Sequence, residues 1–138
     1  MQELEVEPDL VAQGADTVIR GEVFSPDGRV PVVLLGVVRA DGTPVYGVAT
    51  DMDRVEPQRL DAHRFTFALA LPRIALLPGK YVIRAHALDP EGVRLFDTIE
   101  RTLVITGETR ELGLVRLEHR WTNRAGSAGN DNAGGGAP

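Results

Sequence analysis

Apolar and polar residues alternate with a period of two along most of the chain. Phe65, Phe67, Leu69 and Leu71 alternate with Arg64, Thr66, Ala68 and Ala70, which puts the large apolar groups on one face of a strand. Tyr81, Ile83, Ala85 and Ala87 do the same against Lys80, Val82, Arg84 and His86. Ile99, Leu103 and Ile105 alternate with Glu100, Thr102 and Thr106, although Arg101 and Val104 blur that run. Leu112, Leu114 and Arg116 share a further strand with Val115 and Leu117, so both of its faces would be partly covered. Residues 29–39 are apolar almost throughout and read either as one central strand or as two pieces joined at Gly36.

Turn signals separate these runs: Pro26-Asp27-Gly28, Ala40-Asp41-Gly42, Leu77-Pro78-Gly79 and Pro90-Glu91-Gly92. Each supplies proline's fixed φ, glycine's access to positive φ, or both. No stretch carries a sustained helical stripe with caps, and the PQRLDAH segment allows at most one helical turn. Short strands with turns at such intervals predict an all-β fold, an immunoglobulin-like antiparallel β-sandwich. In LLPGKYVIRAHAL, a tight turn delivers Tyr81 to the start of an inward-alternating strand. There its ring can be buried and its hydroxyl returned to nearby backbone, as in a tyrosine corner. The sandwich is expected over residues 1–121, and residues 122–138 form a Gly/Asn/Ala-rich tail. That tail has no apolar residue larger than alanine and is read as disordered.

Composition narrows the function. A net charge of −5 argues against a nucleic-acid partner, whose phosphates call for a basic surface. With no cysteine there is no disulfide framework and no thiolate chemistry. No segment is long and apolar enough for direct membrane insertion, and the MQELEVEPD start lacks the basic and apolar regions of a secretory signal. A cytoplasmic location is therefore expected.

Catalytic machinery is not apparent, and the chain is read as a binding domain rather than an enzyme. Ser25 and Ser127 lack the G-x-S-x-G context of a nucleophile elbow. His63, His86 and His119 have no metal-ligand spacing, and Gly79-Lys80 lacks the upstream glycine of a P-loop. Asp51, Asp53 and Glu56 could offer oxygens to calcium. The loop lacks the further oxygens and the glycine of an EF-hand, and a solvated charged loop is the simpler reading. No catalytic residue, metal site or cofactor is assigned. Arg39, Tyr46, Arg84 and His86 are polar or amphipathic side chains on expected strands, and neighbouring strands would line them along one sheet face. Planar donors and acceptors beside an aromatic ring suit a sugar; an ordinary solvated outer face is the alternative.

The order of four segments is distinctive. GVVRADGTPVYGVATDM (residues 36–52) is followed by LALPRIALLPGKYVIRAHALDP (69–90), FDTIERTLVIT (96–106) and GLVRLEHRW (113–121). This order resembles the C-terminal carbohydrate-binding domain of the Wzt-type ATP-binding subunit of bacterial ABC transporters that export O-antigen polysaccharides. The likeness spans residues 18–121. It rests on an Asp-Gly turn leading into a Y-G-x-x-T element (Tyr46 to Thr50), a Leu-x-Pro-Gly-x-Tyr strand start, and a closing G-x-V-x-L-x-x-x-W run. Val48-Ala49 departs from the more polar pair expected inside the Y-G-x-x-T element.

The resemblance implies a module that recognises the non-reducing end of the polysaccharide before export, with Arg39, Tyr46, Thr50, Arg84 and His86 as its contacts. It also implies a homodimer that exchanges terminal strands, in which Trp121 serves packing or the dimer contact. Its partners would be the ATP-binding and membrane subunits of a transporter, and its location would be peripheral to the inner membrane. The ATPase domain that precedes this module in the family is absent, so the chain would be an excised domain or a module standing alone. A structural or protein-interaction sandwich mediating dimerisation is the alternative. The apolar run at residues 29–39 favours it.

Overall fold

The computed structural model describes residues 3–122. Nine strands and no helix make up this part of the chain, in two sheets packed face to face. The first sheet contains β1 (Glu3–Glu7), β3 (Thr17–Phe24), β7 (Arg64–Leu71) and β6 (Gln58–Arg59), in the order β1-β3-β7-β6. The second contains β2 (Leu10–Ala12), β9 (Leu95–Thr106), β8 (Gly79–Leu88), β4 (Val32–Arg39) and β5 (Pro44–Ala49), in the order β2-β9-β8-β4-β5. This is the immunoglobulin-like sandwich, with an extra strand on each side of the three-stranded core β9-β8-β4 of the second sheet. The expected tail beyond Thr122 lies outside the described residues.

The alternation that predicted the strands also builds the core. Along β8, Tyr81, Ile83, Ala85 and Ala87 are buried while the residues between them are half-buried. They pair across the ladder with Arg39, Val37, Leu35 and Val33 of β4. Residues directly opposite in an antiparallel pair point the same way. Val33, Leu35 and Val37 therefore join the same inner face and pack in one cluster with Ile19, Val23, Leu4 and Val6 of the first sheet. Residues 29–39 hold a single central strand, β4, flanked on both sides and unbroken at Gly36.

The turns form where glycine and proline mark them. Gly42 sits at φ 93° and Gly92 at φ 72°, a region that costs an L side chain about 1–2 kcal/mol. Beside them the carboxylates of Asp41 and Asp89 accept hydrogen bonds from the N–H groups of Thr43 and Val93, at 3.0 and 2.8 Å. Tyr81 makes the predicted corner. Its ring is buried, and its hydroxyl donates to the Leu77 carbonyl at 2.6 Å, four residues upstream. Burial pushes its pKa up, which keeps the phenol protonated as a donor.

Three expectations are corrected or refined. The second sheet is not wholly antiparallel, because β2 runs parallel to β9. The chain leaves β1 and moves to the other sheet through Pro8 without a reversing turn, so β2 keeps its direction and meets β9 head-on with the same polarity. The buried Thr17 hydroxyl fastens this crossover by donating to the Pro8 carbonyl at 2.6 Å.

The second concerns the PQRLDAH segment, which the sequence allows at most one helical turn and which forms β6 and a tight turn. Asp61 directs that turn. Its carboxylate accepts from the N–H groups of His63 and Arg64 and from Arg64 Nε, at 3.0, 2.8 and 2.7 Å, and these bonds lower its pKa to about 2.

The third is the run at residues 112–117, which is not a strand. Its strand-type pairing with the body is one isolated bridge, Leu76 to Val115, and the Tyr81 hydroxyl lies 3.4 Å from the Leu114 carbonyl. The Leu77 N–H donates to the Leu114 carbonyl at 2.9 Å, and the Arg116 N–H donates to the Ala75 carbonyl at 2.6 Å. Residues 75–77 are a connecting loop, too short to template a ladder. Leu112, Leu117 and Trp121 consequently remain 95%, 71% and 79% exposed.

Candidate functional site

The strand register decides which of the proposed contact residues meet. Arg84 and His86 both project from the outer face of the second sheet, because the residues that alternate with them, Ile83, Ala85 and Ala87, fill the core. Each is matched by a polar partner directly across on β9: Arg84 opposite Glu100, and His86 opposite Thr98. Arg84 Nε donates to Glu100 Oε2 at 2.5 Å, and the His86 ring shares a hydrogen bond with the Thr98 hydroxyl through Nδ1 at 2.8 Å. Such cross-strand pairs hold side chains upright on a sheet.

Arg39 and Tyr46 do not join them. Arg39 lies opposite Tyr81 and Tyr46 opposite Val37, so both belong to the inner side of the sheet. Tyr46 is nonetheless 58% exposed, because β5 is an edge strand that overhangs the sandwich. Thr50 follows the end of β5 and is spent on structure. Its N–H donates to the Val33 carbonyl at 2.9 Å, and its hydroxyl accepts from the Val33 N–H at 3.1 Å. The expected single face of Arg39, Tyr46, Arg84 and His86 is thus divided: Arg84 and His86 share the outer face, while Arg39 and Tyr46, like the further contact Thr50, lie elsewhere.

What completes the outer face is a row of glycines. Reading straight across the second sheet, Glu100 is opposite Arg84, Arg84 opposite Gly36, and Gly36 opposite Gly47. Beside the Arg84–Glu100 pair the sheet surface is therefore bare backbone over two adjacent strands. Leu34 on β4 and Val82 on β8 border it with half-buried apolar side chains. An added Cβ on Gly36 would come no nearer than 3.8 Å to any other atom, and one on Gly47 no nearer than 3.9 Å, so packing does not demand either glycine.

The polar groups retain unused capacity. Among the described residues, Arg84 Nη1 and Nη2, Glu100 Oε1 and His86 Nε2 make no hydrogen bond to protein. The face thus combines a flat strip, apolar borders, forked donors and an ionised acceptor. Arg84 and Glu100 form an ion pair, and the Thr98 hydroxyl meets the His86 ring, whose Nε2 has no orienting partner among the described residues. Glu100 and Thr98 had not been singled out from sequence. The available signal was an acid at the complementary position of the strand that follows Arg84 through the Pro90-Glu91-Gly92 turn.

A second feature lies at the flank. Between the sheets, where β5 and the short β6 leave the sandwich open, there is a cleft of about 580 Å³. Val33 and Leu35 of β4, Val48 of β5, and Phe67 and Leu69 of β7 wall it, while Glu3, Glu22, Asp53 and Glu56 stand among its lining residues with Arg20. The loop carrying Asp51, Asp53 and Glu56 thus edges an apolar cleft. Among the described residues no three His, Cys, Asp or Glu side chains are grouped to hold a metal ion. No described helix is long and apolar enough to cross a membrane.

No family model and no curated relative matches the chain. Among solved structures, the soluble domain of PmoD from Methylocystis sp. is similar at 15% identity, covering 77% of this chain and 98% of that one, with a TM-score of 0.40. So shallow a likeness carries neither family nor function.

Proposed function

We propose that the chain is a non-catalytic carbohydrate-binding module whose platform is the outer face of the second sheet. The observation that carries this reading is the row Glu100, Arg84, Gly36, Gly47, with its bare backbone strip beside a forked cation and a carboxylate. A pyranose ring laid flat on the strip would set its C–H face against the Leu34 and Val82 borders. Its hydroxyls would reach Arg84, Glu100 and His86. Neutral sugars are held by many such shared bonds rather than by one strong charge. The likeness of the four sequence segments to O-antigen exporter domains supports a bacterial surface polysaccharide, read at its non-reducing end, as the ligand. In that setting the ATP-binding and membrane subunits of a transporter are the partners.

The test exploits the tolerance at Gly36. Gly36→Val places a side chain on the strip at a position where a Cβ comes no nearer than 3.8 Å to the Tyr46 carbonyl, and a β-branched residue suits a strand. This variant is expected to keep the wild-type melting temperature and to bind the host bacterium's O-antigen polysaccharide at least tenfold more weakly. Arg84→Ala should show the same loss. In wild-type protein the resonances of Arg84, His86 and Glu100 should shift on titration with that polysaccharide. Absence of any shift, or unchanged affinity in both variants, would defeat the proposal.

A second reading has its own observation. Leu112, Leu117 and Trp121 are exposed on an arm whose strand-type pairing with the body is a single bridge, and such a run of apolar side chains invites cover. On this reading the arm pairs two copies of the chain, either laid across the partner or exchanged with its equivalent. Sedimentation should then reveal a dimer that Trp121→Ala together with Leu117→Ala shifts to monomer. A species that stays monomeric at millimolar concentration removes this reading and leaves the glycan platform untouched.

A further inference from the structure

One sheet edge of the sandwich lacks the usual protection. The Leu60 N–H donates to the Arg64 carbonyl at 2.7 Å, so the main-chain groups of Arg64 point away from β3 and toward β6. Period two carries that direction to Thr66, Ala68 and Ala70. The short strand β6 reaches only Phe65 and Thr66 before it ends at Gln58. Ala68 and Ala70 therefore present two N–H and two C=O groups with no strand opposite them. Natural edges are blunted by proline, lysine or a bulge. The β5 edge of the other sheet has both Pro44 and a register shift between Val37 and Val38. The β7 edge has two exposed alanines and nothing else.

This edge borders the cleft. Phe67 and Leu69, which alternate with the two alanines, form its wall on the first sheet, and Val33, Leu35 and Val48 form the opposite wall. A strand added beside β7 would send every second side chain into that apolar space and the others outward. The charge around the opening is one-sided. Glu22 is engaged by Arg64 at 3.6 Å and Arg20 by Glu5 at 3.3 Å, which leaves Glu3, Asp53 and Glu56 without an ion-pair partner among the described residues.

We propose that the free β7 edge and its cleft dock an extended segment of a partner protein in which apolar residues alternate with lysine or arginine. Main-chain hydrogen bonds to Ala68 and Ala70 would supply the pairing. Apolar side chains would fill the cleft, and cationic ones would answer the three unpaired carboxylates. The chain's own arm suits this poorly, since residues 111–121 set Glu111 and Glu118 against Arg116 and Arg120 and offer no net positive charge. The proposal is independent of the glycan platform, which lies on the outer face of the other sheet.

The full chain is titrated with a capped decapeptide alternating valine and lysine. Saturable one-to-one binding is expected, with slowed hydrogen exchange at the Ala68 and Ala70 amides. A peptide alternating serine and lysine should bind at least tenfold more weakly. N-methylation of the valine–lysine peptide along one edge only should abolish binding, and along the other should spare it. Combining Glu3→Gln, Asp53→Asn and Glu56→Gln should weaken binding at least tenfold without lowering the melting temperature. Equal binding of the serine–lysine peptide, indifference to N-methylation, or no binding at all would overturn the proposal. So would Ala68 and Ala70 amides whose protection rises with protein concentration alone, because a second copy would then hold the edge.

Discussion

Replacing Phe65 with alanine is expected to lower folding stability by about 3–5 kcal/mol, the usual cost of emptying a phenylalanine site in a packed interior. Its side chain is completely buried, and it lies opposite Val23 in the β3–β7 ladder. One face of its ring carries the Arg59 guanidinium, 4.6 Å from the centroid, so the ring also ties the short strand β6 to the sheet. Both contributions vanish in Phe65→Ala, whereas Phe65→Leu keeps most of the apolar volume and loses the cation–π contact. Domains of this size have a total stability of about 5–15 kcal/mol, so the alanine variant should be partly unfolded at moderate urea. Urea denaturation of the three proteins measures this. A loss below about 1 kcal/mol in Phe65→Ala would mean that the ring is not in the core.

Gly21→Ala should be nearly as damaging, for the opposite reason. Gly21 lies in the middle of β3 between Leu4 of β1 and Phe67 of β7, on the inner face. A Cβ there would come within 2.5 Å of the Glu3 carbonyl oxygen and 2.7 Å of Phe67 Cζ. The phenylalanine ring could swing aside at some cost, since it stands at the wall of the cleft. The carbonyl belongs to the backbone of β1 and can yield only if that strand moves. Overpacking of this kind costs about 1–3 kcal/mol. Here it should also loosen β1, whose Leu4 and Val6 are buried in the core. Faster hydrogen exchange at the amides of Glu3–Glu7, with β8 and β9 unchanged, is the expected signature. Wild-type exchange in β1 together with wild-type stability would contradict this account.

Legibility varied along the chain for identifiable reasons. β7, β8 and most of β9 could be read because each has one apolar face and one polar face, and alternation reports that difference. The same signal was present in β3, where Thr17, Ile19, Gly21 and Val23 are buried between more exposed residues, but the glycine in the inner row obscured it. β4 was recognisable as a central strand yet concealed its phase. Val33, Leu35 and Val37 face the core while Leu34 and Val38 face outward, and both sets are apolar. Without that phase, Arg39 could not be seen to share the side of Tyr81, nor Tyr46 the side of Val37. Arg84 and His86 were grouped correctly because they stand two apart on one strand whose polarity is unambiguous.

The arm at residues 112–117 shows the converse. Its apolar residues, on both faces, suit a strand, but a strand also needs an edge to bind, and residues 75–77 supply only a single bridge. The β7 edge and the cleft were invisible for a related reason: they exist because β6 is only two residues long.

Alternation and turn chemistry act between residues two to five positions apart, and they suffice to make this chain a stack of short strands with Tyr81 at a corner. Which strands lie side by side, and in what register, is settled by packing between segments tens of residues apart. That long-range choice set Arg84 beside Glu100 and the two glycines, turned Tyr46 to the other side, and left Ala68 and Ala70 at an open edge.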